Sequence, residues 1–168
     1  DAAALDEVSA SVAELARFVL SRAGAWQERG QASRELDVKL RQATGVAKAP
    51  YVAEFVRLLV EGGERVVLYA WHREVYAILQ DRLQEYAPVL YTGTESPTQK
   101  EEAKRAFIEG DSKVLLMSLR AGAGLDGLQH VSRTVVFGEL DWSPGVHEQA
   151  IGRVHRDGQT EPVMAYFL

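Results

Sequence analysis

The chain contains no cysteine among its 168 residues. That excludes a disulfide framework and any zinc site built on thiolates. The four histidines, His72, His130, His147 and His155, show no metal-ligand spacing. No apolar run reaches the roughly 18 residues of a membrane-spanning helix, so no membrane partner is expected. Positive charge is also scarce: 19 Lys and Arg against 24 Asp and Glu leave a net charge of -5. A domain that grips nucleic acid through its overall field carries the opposite sign, so any such contact must be local. Also missing are a GxxxxGK(S/T) phosphate loop and a magnesium-binding acidic run of the Asp-Glu-x-Asp or Asp-Glu-x-His type. Lys48, Lys100, Lys104 and Lys113 all lack a glycine-rich loop before them. The chain by itself is therefore not expected to cradle nucleotide phosphates or to hydrolyse ATP. The alanine-rich start has no basic leader and no initiator methionine. It reads as the beginning of an excised domain or a processed fragment rather than as a signal peptide.

What is present suits a globular domain, with 46% hydrophobic and 26% charged residues. Apolar residues recur at helical spacing over 5–23, with Arg22 and Gly24 as an end signal, and a second helix is predicted over 32–42. Gly45 and Lys48-Ala49-Pro50 mark a break, dividing a helical lead-in, 1–47, from an α/β domain, 48–168. A helix over 51–59 ends at Gly62-Gly63; strand Val66–Ala70, a helix over 74–86 and strand Val89–Tyr91 follow. Ser96-Pro97 with Gln99 forms a capping box ahead of a helix that ends at Gly110. Strands are predicted over 114–117, Thr134–Phe137 and 162–168. These strands are continuous apolar runs, the signature of parallel strands covered on both faces. The fold class is α/β: an open, mostly parallel sheet with helices on both faces, preceded by an N-terminal helical segment. In such sheets function gathers at the carboxyl ends of the strands, here the loops after Ala70, Tyr91, Met117 and Phe137.

The densest functional signal is QAIGRVHRDGQ, from Gln149 to Gln159. On one helix, Gln149, Gly152, Arg153 and Arg156 share a narrow arc, while Val146, Ala150, Ile151 and Val154 occupy another. Two arginines three apart repel unless an anion lies between them, and nothing acidic sits four residues before either. The pattern asks for an external anion such as phosphate, although a solvated helix face also produces it. Ser143-Pro144 reads as an N-cap followed by proline at the first helical position.

Ahead of that helix lie the strand Thr134–Phe137 and the loop Glu139-Leu140-Asp141-Trp142. Strand, Trp-Ser-Pro turn and QxxxRxxRxGQ helix together resemble motif VI of superfamily two helicases, and in detail the SWI/SNF-related ATPases, with Ser143 where asparagine is common. The glycine-rich segment from Ser118 to Gln129 resembles motif V of the same family. Ser118, Arg120, Ala121, Gly122, Leu128 and Gln129 follow the SWI/SNF pattern, whereas the spacing of Gly124 and Asp126 is similar to the RGxD of DEAD-box relatives. Gly127 replaces the usual asparagine. Leu40-Arg41-Gln42 followed by Lys48 also looks like this lobe's entry, so the resemblance spans about 40–168.

The resemblance implies a RecA-like C-terminal helicase lobe that shares an ATP site with an N-terminal RecA-like lobe, which would hold Mg2+. It implies that Arg156 is an arginine finger, Arg153 its neighbour on the phosphates and Gln149 a positioner of the helix or the attacking water; the two arginines can exchange roles. Gly124, Asp126 and Gly152 would complete the nucleotide face. Double-stranded DNA would lie on Trp71, His72 and Arg73, on Thr92, Gly93 and Thr94, on Ser118, Arg120, Ala121 and Gly122, and on Trp142. Read as residues alone, Trp71-His72-Arg73 equally covers a helix N-terminus and Thr92-Gly93-Thr94 is equally a polar turn. An RNA-directed helicase lobe and a non-catalytic RecA-like interaction module remain as alternatives. The isolated chain is expected to be monomeric and inactive, and its setting intracellular. Without a nuclear-type basic cluster the expectation leans to a prokaryotic or phage cytoplasm.

Overall fold

The computed structural model describes residues 26–121 and 125–168, together with residues 10, 12–14, 16, 17 and 19. The helix predicted over 5–23, with its end signals Arg22 and Gly24, lies largely outside the described residues; its described positions are helical. Two compact units are present, Asp1–Lys48 and Ala49–Leu168.

Helix α1, Trp26–Glu61, runs unbroken for 36 residues. This corrects the two shorter helices and the break predicted at Gly45 and Pro50. Proline lacks the N–H that would reach the carbonyl four residues back, which ordinarily ends a helix. Here Ala49, Val52, Ala53 and Val56, at helical spacing, are all at most 2% exposed. Their burial holds the helix past Pro50.

The second unit is an all-parallel sheet of five strands in the order β2-β3-β1-β4-β5. The strands are β1 Val66–Ala70, β2 Val89–Tyr91, β3 Val114–Ser118, β4 Thr134–Phe137 and β5 Met164–Phe167. Register pairs Val67 with both Leu115 and Val135, and Tyr69 with both Met117 and Phe137. Alternation puts these six residues on one face, where they form a core with Phe107, Ala150 and Val154. The opposite face is equally buried, and there Val52 and Leu68 meet beside Gly138, within 3.2 and 3.6 Å of where a Cβ would stand. Helices therefore cover both faces.

Helix α2 is Arg73–Arg82, followed by a 3-10 turn at Gln84–Tyr86 in place of one longer helix. Helix α3, Pro97–Ile108, opens on the expected capping box: Ser96 Oγ accepts from Gln99 N at 3.3 Å and Ser96 N donates to Gln99 Oε1 at 2.9 Å. Its C-terminal carbonyls are closed by Arg65, whose guanidinium donates to Phe107 O and, at 2.9 Å, to Gly110 O. Helix α4, Pro144–Ile151, has only eight residues. The sheet reverses winding direction around β1, and the loops leaving β1, β3 and β4 meet at that crevice.

Candidate functional site

Two groups of side chains emerge. The first lies at the carboxyl ends of β1, β3 and β4. Two residues beyond β4, the buried Glu139 reaches across to the β1 loop. Its Oε2 accepts from Trp71 N at 2.7 Å and His72 N at 2.9 Å, and its Oε1 lies 2.5 Å from His72 Nδ1. Asp141, whose side chain is 8% exposed, binds Arg120 at 3.1 Å. The Arg120 guanidinium in turn sits 5.7 Å from the centroid of the Trp71 ring. Tyr76 closes the floor, donating to Ala70 O at 2.6 Å and to Met117 O at 3.2 Å. Burial pushes its phenol well above the ordinary tyrosine range.

Beside this network runs an open groove of about 440 Å3, lined by Trp71, Arg73, Gly93, Thr94, Glu95 and Ser118 among others. Three of the loops expected to carry nucleic-acid contacts thus share one wall system. Trp142, 72% exposed, stands on the β4 loop. Ala121 is half-buried, and Gly122 and Gly124 lie outside the described residues.

Thr92 departs from expectation. Placed among the expected DNA contacts, it is instead 5% exposed, and its backbone N–H and hydroxyl both donate to Glu95, at 2.6 and 2.9 Å. Burial raises the Glu95 pKa, but the hydrogen bonds from Thr92 and Thr94 outweigh it and hold the carboxyl below its ordinary range. Gly93 and Thr94 remain on the outer surface of the loop.

The second group lies past the C-terminal end of α4. The helix stops at Ile151, and 152–158 form turns, so Gln149, Gly152, Arg153 and Arg156 do not share one helical arc. Gln159 and Gly158 explain the early stop. Gln159 Nε2 donates to Ser132 O at 2.9 Å and Val154 O at 3.1 Å, and Gly158 takes φ +93°. These tie the chain to the segment just ahead of β4 and to its own turn. Ser143 is also not a side-chain cap; its N–H donates to Asp141 Oδ1 at 2.9 Å. Pro144 does occupy the first turn.

Arg156 is not short of an anion. Its Nη1 donates to Asp126 Oδ1 at 2.5 Å, which joins the motif V and motif VI candidates directly. Arg153 is half-buried, and its charge acts on Tyr69, whose buried phenol is pushed up by desolvation and partly eased by that cation. Gln149 and Gly152 are exposed.

Sequence reasoning assigned no role to Glu139, Asp141 or Glu95. The first two carried a usable signal: paired carboxylates in a strand-end loop, near two other strand-end loops bearing His72 and Arg120.

The strand order, the parallel register and the two groups at the sheet's edge define a RecA-like α/β lobe. Residues 48–158 match the helicase conserved C-terminal domain family, and the chain belongs to it, as a lobe of the SWI/SNF-related ATPase kind. It is 28% identical over 144 residues to the Drosophila melanogaster SWI/SNF-related matrix-associated actin-dependent regulator of chromatin subfamily A-like protein 1, covering 83% of this chain and 19% of that protein. It is 32% identical over 132 residues to the chromatin-remodeling ATPase INO80 of Aspergillus oryzae, covering 76% of this chain and 9% of that protein. The chain thus spans less than a fifth of these relatives. The Sulfolobus solfataricus SWI2/SNF2 ATPase core in complex with dsDNA superposes with a TM-score of 0.75 at 19% identity, over 98% of this chain and 37% of that one, and shares its fold. These two relatives are a fly and a fungal protein, so they lend no support to the prokaryotic leaning. Among the described residues no helix is long and apolar enough to cross a membrane.

Proposed function

We propose that this lobe works in a double-stranded DNA translocase, supplying arginines to an ATP site that it shares with an N-terminal RecA-like lobe. The observation that carries this reading is the Asp126–Arg156 contact, because it brings the motif V and motif VI segments to one place. The Asp126 carboxylate stands there as a phosphate oxygen would, so the residues fit an anionic ligand. ATP between the lobes supplies the phosphoryl group and the free energy for movement, and the opposing lobe holds the Mg2+. Arg156, 41% exposed, leaves Asp126 and donates to phosphate oxygens, countering the charge that grows in the transition state. Arg153 adds a second cation from a half-buried position that limits its freedom. Gln149 keeps its expected role beside the attacking water or in holding the segment.

Nucleic acid takes the groove at the strand ends, where Trp71, Arg73, Thr94 and Ser118 offer a stacking surface, a guanidinium and hydroxyls in a chain of net charge -5. Arg120, beside the Trp71 ring, and the exposed Trp142 on the β4 loop extend that surface outside the groove. Opening and closing of the cleft then moves the two lobes along one strand in turn; strand separation is not required.

The test rejoins the lobe to its partner. Arg156→Ala is expected to lower DNA-stimulated ATP turnover by about 10^3-fold or more. Turnover near the parent level removes the finger assignment. The isolated chain is expected to show no ATPase activity, and stimulation by duplex DNA is expected to exceed stimulation by RNA.

A further inference from the structure

We propose that Glu139 is a positioning residue that fixes Trp71 as one wall of the nucleic-acid groove; this rests on the reading of that groove given above. A buried carboxylate is costly unless its oxygens are hydrogen-bonded. Glu139 is 5% exposed, and its bonds to Trp71 N, His72 N and the His72 ring all fall on one dipeptide at the end of β1.

The backbone explains the arrangement. The β1–β4 pairing extends to Gly138, whose N–H donates to Tyr69 O at 2.9 Å. One residue later the ladder ends, and the next two β1-side N–H groups, those of Trp71 and His72, have no strand partner to meet. The Glu139 side chain continues the ladder in its place. It thereby sets where the chain turns into α2 and where the Trp71 ring stands. That ring is 49% exposed and lines the groove. Arg120, held by Asp141, stacks on it. Glu139 itself touches no ligand in this role; buried and engaged, it acts through Trp71.

Removing the carboxylate leaves two N–H groups without their acceptor and releases the dipeptide toward water. Glu139→Gln can keep the geometry: its amide oxygen accepts from both N–H groups and its amide N–H donates to His72 Nδ1 when the imidazole proton is on Nε2.

In the rejoined two-lobe protein, Glu139→Ala is expected to raise the duplex DNA concentration for half-maximal ATPase stimulation by at least about fivefold, the low end for loss of one aromatic stacking contact. The turnover at saturating DNA should fall less than about twofold, and Glu139→Gln should restore the parent half-saturation. In the 168-residue chain carrying Trp26→Phe and Trp142→Phe, Trp71 is the one remaining tryptophan. Acrylamide should quench it more strongly once Glu139→Ala is added. If the alanine variant does not fold, Glu139→Asp, which withdraws the charge by one methylene, takes its place in both measurements. An unchanged half-saturation in a DNA-stimulated protein, or unchanged Trp71 quenching, overturns the role of Glu139. An equal loss of turnover at all DNA concentrations also overturns it, since that marks a merely structural part. A parent ATPase indifferent to DNA overturns the underlying reading instead.

Discussion

Arg156 Nη1 donates to Asp126 Oδ1 at 2.5 Å, across 30 residues of chain. The two side chains are 41% and 69% exposed. Water screens such a pair, and exposed ion pairs contribute roughly 0–1 kcal/mol to stability. The contact is therefore a weak clasp: strong enough to orient the guanidinium, and weak enough for a phosphate to replace the carboxylate.

A double-mutant cycle checks this. Asp126→Ala, Arg156→Ala and the double variant of the 168-residue chain should give a coupling energy below about 1 kcal/mol in urea denaturation. A coupling of about 2 kcal/mol or more would make the pair a structural element. It would also remove the reason for treating Arg156 as available to a ligand.

The core bearing the sheet should respond quite differently. Phe107 on α3 is fully buried against Val67, Leu115 and Val135 in one cluster. Phe107→Ala is expected to destabilise the lobe by about 3–5 kcal/mol, a large part of a domain's total. Urea midpoints measure it, and a loss under about 1 kcal/mol would contradict the packing described.

These two regions also differ in how far the sequence revealed them. Strands β1, β2 and β4 have the same ends as predicted, because each is a short run of β-branched, aliphatic and aromatic residues bounded by turn residues, buried throughout in β1 and β4 and half-buried in the edge strand β2. The Ser96 to Gln99 capping box was equally plain, since both partners lie within one turn. What escaped depended on partners distant in sequence. Pro50 reads as a break unless the burial of Ala49, Val52, Ala53 and Val56 is known. The arc of Gln149, Gly152, Arg153 and Arg156 assumed a helix that the bonds from Gln159 to Ser132 and Val154 cut short. Arg156 looked unpaired because Asp126 is a neighbour only in space. Glu139 escaped because nothing local shows that its carboxylate reaches the N–H groups of Trp71 and His72. Glu95 is the exception, since its partners Thr92 and Thr94 lie within its own turn.

Acid should weaken the lobe in part through Glu64. It joins the amino ends of β1 and β4, binding Arg133 at 2.7 Å and accepting from the Thr134 hydroxyl at 2.8 Å. The hydrogen bond from Arg133 is the main cause that holds its carboxyl below the ordinary value of 4.5. A folded-state pKa lowered in this way adds stability that is present above the unfolded value and lost as the pH falls through the folded one. Glu64→Gln should therefore lower the urea midpoint at about pH 7, and the gap to the parent should close on acidification through and below 4.5. A gap that stays constant down to about pH 3 would show that the Glu64 charge is not what stabilises the junction.

Gly158 separates the clasp from its anchorage. It lies between Arg156 and Gln159, takes φ +93°, and a Cβ there would stand 2.7 Å from His130 Cε1. Gly158→Ala thus carries two penalties, a left-handed backbone and a side-chain clash. The clash is avoidable, because His130 is an exposed side chain; the backbone penalty is not, and is about 1–2 kcal/mol. Adding His130→Ala should therefore recover part of the lost stability and leave about 1 kcal/mol unrecovered. The functional consequence follows from Gln159, whose bonds to Ser132 and Val154 hold the far side of the turn that carries Arg156. If strain at Gly158 loosens that turn, the rejoined protein should lose ATP turnover in Gly158→Ala, and the His130→Ala background should restore it only partly. Full recovery of both stability and turnover would mean that the clash alone mattered and that the positive φ at this position is dispensable.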